Sequence, residues 1–322
     1  MKKNTILMAV LVILVVLYLS TNYFKKNSSA SFDPQIVKLD SSKIGKITIY
    51  PPAKEKEKPI VLSRSSGQWE VAQGKIVSKA DPSKLRSALG QLLDVEAQRL
   101  VAKTKDKWPN YELGDSLARK VLIEEKGGGT TTALYFGKTS YGQVAAPAYG
   151  RGAPTGSTYL RLNDQPETFA LENGLPNTFS RPFNSWRNPE FLRLDKEQLK
   201  ELEFNNAAAG EAFVLRKVDS LWSIADTKAD ASKVSQYLNS LARQNSSQFV
   251  DGFSPEDNPL HTLTIRGQDM DEVVVRAYAM AEENKFVLNS SQHPDVFVES
   301  DSVGMFKRLF VDRDYFQPNK DE

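Results

Sequence analysis

The chain contains no cysteine. That absence excludes disulfides, thiolate metal ligands, a cysteine nucleophile and a lipid-modified N-terminal cysteine. Histidine is nearly as scarce, with His261 and His293 the only two among 322 residues. Neither stands in an HExxH or comparable ligand spacing, so both read as surface histidines rather than metal ligands or catalytic bases. No serine has the GxSxG setting of a nucleophile elbow. Gly137-Lys138-Thr139 invites a phosphate-loop reading, but that motif needs a glycine where Thr132 stands, and no helical pattern follows. Glu124 and Glu125 are adjacent in a strand, point to opposite faces and cannot act as a paired acid and base. The chain therefore reads as non-enzymatic, with no catalytic, metal or cofactor-binding residue to nominate and no cofactor implied.

A basic excess is missing as well. The 42 basic residues against 40 acidic ones give +2, but Lys2, Lys3, Lys25 and Lys26 flank a single apolar run. Without those four lysines, 38 basic residues face 40 acidic ones, so the remainder has no surplus for nucleic acid.

One long apolar run does occur. From Thr5 to Phe24 the chain carries no charge, and as a helix this stretch would cover about 30 Å, enough for the hydrocarbon core of a bilayer. It is expected to be an uncleaved transmembrane anchor, residues 1–26 including a cytoplasmic tip, with residues 27–37 as a polar stalk. The chain then sits in the cytoplasmic (inner) membrane as a single-pass protein whose bulk is extracytoplasmic. A cleaved signal peptide is the competing reading, since Ser28-Ser29-Ala30 offers small residues at a suitable spacing. The length of the run and Lys25-Lys26, lying between it and that site, favour the anchor.

What the rest contains is a repeat. Residues 38–171 and 193–299 align in order, the offset drifting from 155 to 153 to 149 to 128 as loop deletions would produce. Lys38-Leu39-Asp40 lies on Arg193-Leu194-Asp195, and the run from Ile60 to Trp69 on that from Phe213 to Trp222. Lys79-Ala80-Asp81 lies on Lys228-Ala229-Asp230. Each copy shows an apolar-alternating strand, a hairpin around a polar turn, and a helix beginning at Asp81-Pro82 or at Asp230. Leu85, Leu89, Leu92 and Leu93 form one apolar helix face, and Val234, Leu238 and Leu241 repeat it. Further strands follow in each copy.

The expected fold class is α+β: an N-terminal transmembrane helix, then two tandem copies of a unit with one helix packed on a mostly antiparallel sheet. The first copy covers 38–171 and the second 193–316, including a closing helix within 301–316. A proline-bearing linker, 172–192, lies between them. Duplicated Asp40/Asp195 and Asp81/Asp230 are read as turn and capping residues, and Trp69/Trp222 as core anchors. Trp108 and Trp186 stand in connecting segments as exposed residues. The copies differ chiefly over 126–157, a Gly/Pro-rich stretch whose Tyr141, Tyr149 and Arg151 are the candidate partner-binding residues.

In several ordered segments the chain resembles the bacterial domain-of-unknown-function family number 4340. These are Gly67-Gln68-Trp69-Glu70-Val71 before Ala80-Asp81-Pro82, Tyr111-Glu112-Leu113, Phe136-Gly137-Lys138, Thr158-Tyr159-Leu160-Arg161, and Trp186-Arg187-Asn188 leading to Leu194-Asp195. The resemblance implies a membrane-anchored protein with its bulk outside the cytoplasm, often associated with ABC-type transport systems, including ones related to gliding-motility transporters. It carries no catalytic residues. The expected function is a non-catalytic accessory protein binding an envelope complex such as an ABC-type transporter. The alternative is an envelope enzyme or binder acting on glycan or peptide at a cleft between the copies.

Overall fold

The computed structural model describes residues 32–142, 155–172, 174–207, 209–255 and 258–318. Contacts within the chain divide it into two compact units, the division falling between Trp186 and Arg187.

The first unit runs through β1 (Gln35–Lys38), β2 (Ile44–Tyr50), β3 (Ile60–Ser65), β4 (Gln68–Gln73) and β5 (Ile76–Lys79) into α1 (Pro82–Leu93). It continues with β6 (Asp94–Glu96), β7 (Arg99–Ala102), β8 (Arg119–Glu125), β9 (Thr131–Gly142), β10 (Thr155–Leu162), β11 (Thr168–Leu171) and the short α2 (Leu175–Phe179). Nine strands form one antiparallel sheet in the order β5-β4-β3-β2-β8-β9-β10-β11-β7, and β1 pairs separately with β6. Alternation decides which face is covered. Ile47, Ile49, Leu62, Val71, Val121, Ile123, Leu134, Phe136, Leu160 and Leu162 all point to one side, where they form the core with Leu85, Ala88 and Leu92 of α1. Burying each such side chain contributes about 2 kcal/mol.

The second unit repeats that order with β12 (Glu190–Arg193), β13 (Leu199–Asn206), β14 (Glu211–Val218), β15 (Leu221–Ile224), β16 (Thr227–Lys228) and α3 (Ala231–Leu241). Then come β17 (Arg243–Asn245), β18 (His261–Gly267), β19 (Val273–Ala279), β20 (Lys285–Ser290), β21 (His293–Asp301) and α4 (Met305–Leu309). Its sheet runs β16-β15-β14-β13-β18-β19-β20-β21, with β12 paired to β17. A single bridge from Phe249 to Val298 occupies the place that β7 holds beside β11.

The helix starts are built alike. Asp81 accepts hydrogen bonds from the backbone N–H groups of Ser83 (2.7 Å) and Lys84 (3.2 Å), and Asp230 from those of Ser232 (2.8 Å) and Lys233 (3.0 Å). Each cap residue's own N–H donates to the carbonyl of a buried aromatic that closes the unit, Trp186 in one (2.7 Å) and Phe316 in the other (2.9 Å). Both aromatics end a 3-10 turn, Phe183–Trp186 and Arg313–Phe316.

The expected α+β class is corrected to mostly β: 46% of the described residues are in strands and 20% in helices, arranged in several antiparallel sheets. The one sustained helical period per unit yields only 12 and 11 residues. Short segments that carry too few residues to show a period, such as β1, β6, β12 and β17, pair as strands instead. The closing helix expected within 301–316 shrinks to the five residues of α4, because β21 continues to Asp301 and the backbone is extended again at Phe310. The expected transmembrane segment lies outside the described residues. Among the described residues no helix is long and apolar enough to cross a membrane; at 12 residues, α1 rises only about 18 Å.

The supposed linker also proves structured. Leu175, Phe179, Phe183 and Trp186 bury themselves in the first core, Phe179 stacked against Trp186 with ring centroids 6.0 Å apart. Arg187 belongs to the second unit, where its guanidinium pairs with Asp251 at 2.9 Å and lies 3.7 Å from the Phe249 ring centre. Burial holds its pKa below the ordinary value, and the Asp251 carboxylate works against that shift. The end of the expected stalk is likewise part of the fold, since β1 pairs with β6.

Candidate functional site

The two sheets differ most on the outer face of the first, around β9 and β10. These strands hold 12 and 8 residues, against 7 and 6 in their counterparts β19 and β20. Pairing with β8 reaches only to Phe136 and pairing with β11 begins at Thr158. The pairs Ser140–Ser157, Tyr141–Gly156 and Gly142–Thr155 therefore extend as a two-stranded arm, and no other strand among the described residues pairs with them. A hydroxyl–hydroxyl hydrogen bond between Thr139 and Thr158 (2.8 Å) ties the arm at its root.

Beside that root, the 3-10 turn Lys105–Tyr111 and the loop after it fold over the sheet. Gly137 makes this approach possible: a Cβ there would lie 2.1 Å from the Tyr111 carbonyl oxygen and 3.1 Å from the Leu113 side chain. Leu113 is thereby fully buried together with Tyr159 and Ala170.

Arg161 sits at the centre with 2% exposure. Its Cζ lies 3.4 Å from the centre of the Tyr135 ring, its direct cross-strand neighbour, and 4.0 Å from that of Trp108. Nε donates to the Leu113 carbonyl at 2.9 Å, Nη1 to the Asn163 carbonyl, and Nη2 to Asp115 at 2.5 Å. A planar cation between two rings, with its N–H groups donated outward in its own plane, satisfies a buried guanidinium well. Further cations rest on the surrounding rings. Lys105 lies 5.3 Å from Trp108, Lys120 5.4 Å from Tyr50 and 5.5 Å from Tyr135, and Lys138 6.0 Å from Tyr111. Tyr111 in turn packs on Tyr159 at 4.6 Å. Asp164 draws close to Lys105 (2.5 Å), and that hydrogen-bonded ammonium holds its carboxyl below the ordinary value.

Of the residues singled out in the sequence, Tyr141 is in the arm, its backbone opposite Gly156, while Tyr149 and Arg151 lie outside the described residues. Gly137-Lys138-Thr139 is a strand segment over which a loop packs. Glu124 pairs with Lys46 (2.9 Å), and Glu125 accepts from the Thr130 N–H (3.2 Å). Trp69 and Trp222 are half-buried against the two cores. Asp40 accepts from the Ser42 hydroxyl and N–H, which lower its pKa, and Asp195 accepts from the Glu197 N–H. Three placements differ from expectation. Trp186 is buried, Trp108 is half-covered by Arg161, and His261 is enclosed in an aromatic cluster where burial depresses its pKa against the pull of Asp312.

Sequence reading missed Arg161, Tyr135 and Trp108 as a set. A signal was present: Tyr159 and Arg161 alternate with Leu160 and Leu162, which puts an arginine and an aromatic on one strand face. Among the described residues, no group of three or more His, Asp or Glu is placed to hold a metal ion.

Two sheets in tandem, each backed by one aspartate-capped helix and closed by a buried aromatic, define a duplicated antiparallel-sheet protein. The chain belongs to the DUF4340 family: the profile of this domain of unknown function matches residues 71–264. That region begins in β4 of the first unit and ends in β18 of the second, so parts of both units are matched. No curated protein and no solved structure matches the chain.

Proposed function

We propose that the protein is a non-catalytic accessory factor held at the cytoplasmic membrane by its N-terminal apolar segment, binding an envelope protein complex through the first unit. An ABC-type transporter is the partner class that the family resemblance implies. The arm of β9 and β10 carries this reading, because among the described residues no third strand pairs with it, and the counterpart strands β19 and β20 are shorter. Unpaired edges accept a partner's strand by main-chain hydrogen bonding. The rings and lysines at its root supply side-chain contacts of the kind that concentrate binding energy at interfaces. Arg161, Asp115, Lys105 and Asp164 near its root are already engaged with one another or with backbone, which suits recognition better than turnover.

A photo-crosslinking amino acid placed at Ser140 or Ser157 tests this in intact cells. A discrete adduct with a membrane transport component is expected from the arm and not from Lys217 of the second unit. Arm positions that yield no adduct beyond those of Lys217 would overturn the proposal.

A further inference from the structure

The second unit contains a cavity of about 170 Å³ with a largely aromatic lining. Its walls are Phe213, His261, Phe306 and Phe310. The His261 ring lies 4.9 Å from that of Phe306 and 5.4 Å from that of Phe310, and Phe306 and Phe310 lie 5.2 Å apart. Phe204, which also lines the cavity, stacks on Phe213 at 4.5 Å, and Phe286 backs Phe306 at 3.8 Å. At the rim stand Glu211, Asp312 and Arg313, so two carboxylates against one guanidinium leave one net negative charge. All three are exposed, whereas the three phenylalanine walls are half-buried.

We infer that this cavity is a binding site for a cationic side chain, arginine first and lysine second, presented by a partner protein. Aromatic faces attract cations, and the rim carboxylates accept N–H hydrogen bonds. The volume lies below the range of about 300–1,000 Å³ typical of small-molecule pockets and suits a single side chain. Burial keeps His261 neutral at pH 7, so it adds no repulsion. The equivalent corner of the first unit supports the choice of guanidinium. Arg119 there occupies the position of His261: it pairs with Phe136 as His261 pairs with Ala277. Its guanidinium meets Glu55 at 2.8 Å. The first unit thus fills the corner from its own chain, and the second leaves it open to an outside cation. This site is separate from the arm and does not rest on the function proposed for it.

Histidine-selective isotope labelling of the full-length chain gives two imidazole signals, which His293→Gln assigns. Titration with the tripeptide acetyl-Gly-Arg-Gly-amide is expected to shift the His261 signal saturably and leave His293 in place, the lysine analogue acting more weakly. Asp312→Asn, an exposed change, should weaken the arginine peptide about 5-fold, and Arg313→Ala should strengthen it. A His261 signal unmoved by the arginine peptide, or moved equally by the norleucine analogue, would overturn the proposal. Tetramethylammonium acting as strongly as the arginine peptide would also overturn it, in favour of a quaternary-ammonium site.

Discussion

Position 137 is glycine in the first unit, and its counterpart in the second is Tyr278. The equivalence follows from register, since Gly137 succeeds Phe136, paired with Arg119 and Leu160, and Tyr278 succeeds Ala277, paired with His261 and Leu288. In one unit a backbone segment lies on the sheet at this point; in the other, the tyrosine packs against Phe253, which also meets Phe297. A second difference lies two strands away. Lys46 of β2 faces Glu124 of β8, whereas Glu201 of β13 faces Arg266 of β18, the same cross-strand pair with its signs exchanged. The inner faces are alike because both must cover an amphipathic helix. The outer faces answer to no shared packing partner, and that of the first unit carries an arm with an aromatic–cation set; the cavity of the second unit lies instead at the margin of its core, where Phe204 and His261 share the inner face with Leu263.

Gly137→Ala should separate the units most sharply. With nowhere for the methyl group to go, the first unit should lose about 3 kcal/mol, read by hydrogen exchange as lost protection in β8 to β10 with β18 to β20 unchanged. Retained protection would show that the covering loop moves aside freely. Arg161→Met should cost about 2 kcal/mol, because the Leu113 and Asn163 carbonyls lose their donor. Asp115 remains 84% exposed and is not stranded. Trp108 fluorescence should report this loss locally during urea unfolding, and Arg161→Lys should recover little of it.

Three smaller effects test what the units share and where they part. Asp81→Ala and Asp230→Ala should each cost about 1 kcal/mol, confined to its own unit. Unequal losses would break the equivalence of the helix starts. Lys46→Glu and Glu124→Lys should each cost about 0.5 kcal/mol or less at these half-exposed sites, and the double reversal, which gives the first unit the sign order of the second, should restore stability. Acidification should weaken the second unit through His261. Its folded pKa is lowered by burial, so the unfolded chain takes up the proton first and stability falls as pH drops below the unfolded value of about 6.5. His261→Gln should remove that part of the pH dependence, followed by thermal unfolding between pH 7.5 and 5.5.

The sequence alone determined whatever depends on neighbours a few residues away. Aspartate caps bond two and three residues ahead, so Asp81 and Asp230 announce their helices. The hairpin turns at Ser66-Gly67 and Asp219-Ser220 need positive φ and carry turn-compatible residues. The repeat was legible because two helix starts and two hairpins recur in one order. Only the tertiary structure decided the rest. The arm reads as loop, since Thr139, Ser140, Gly142, Ser157 and their neighbours show no apolar alternation, and pairing across the hairpin makes them strand. That pairing, with the short strands that escape any periodic signal, turns an expected α+β chain into a mostly β one. Trp186, whose neighbouring prolines suggest an exposed connecting segment, closes a core whose cap residue lies far back in the chain. Arg161 is a residue type seldom buried, and Trp108, Leu113 and Asp115, which make its burial possible, are brought to it from across the sheet. Burial of a charge is settled by partners distant in sequence, because desolvation must be offset by contacts that only folding assembles.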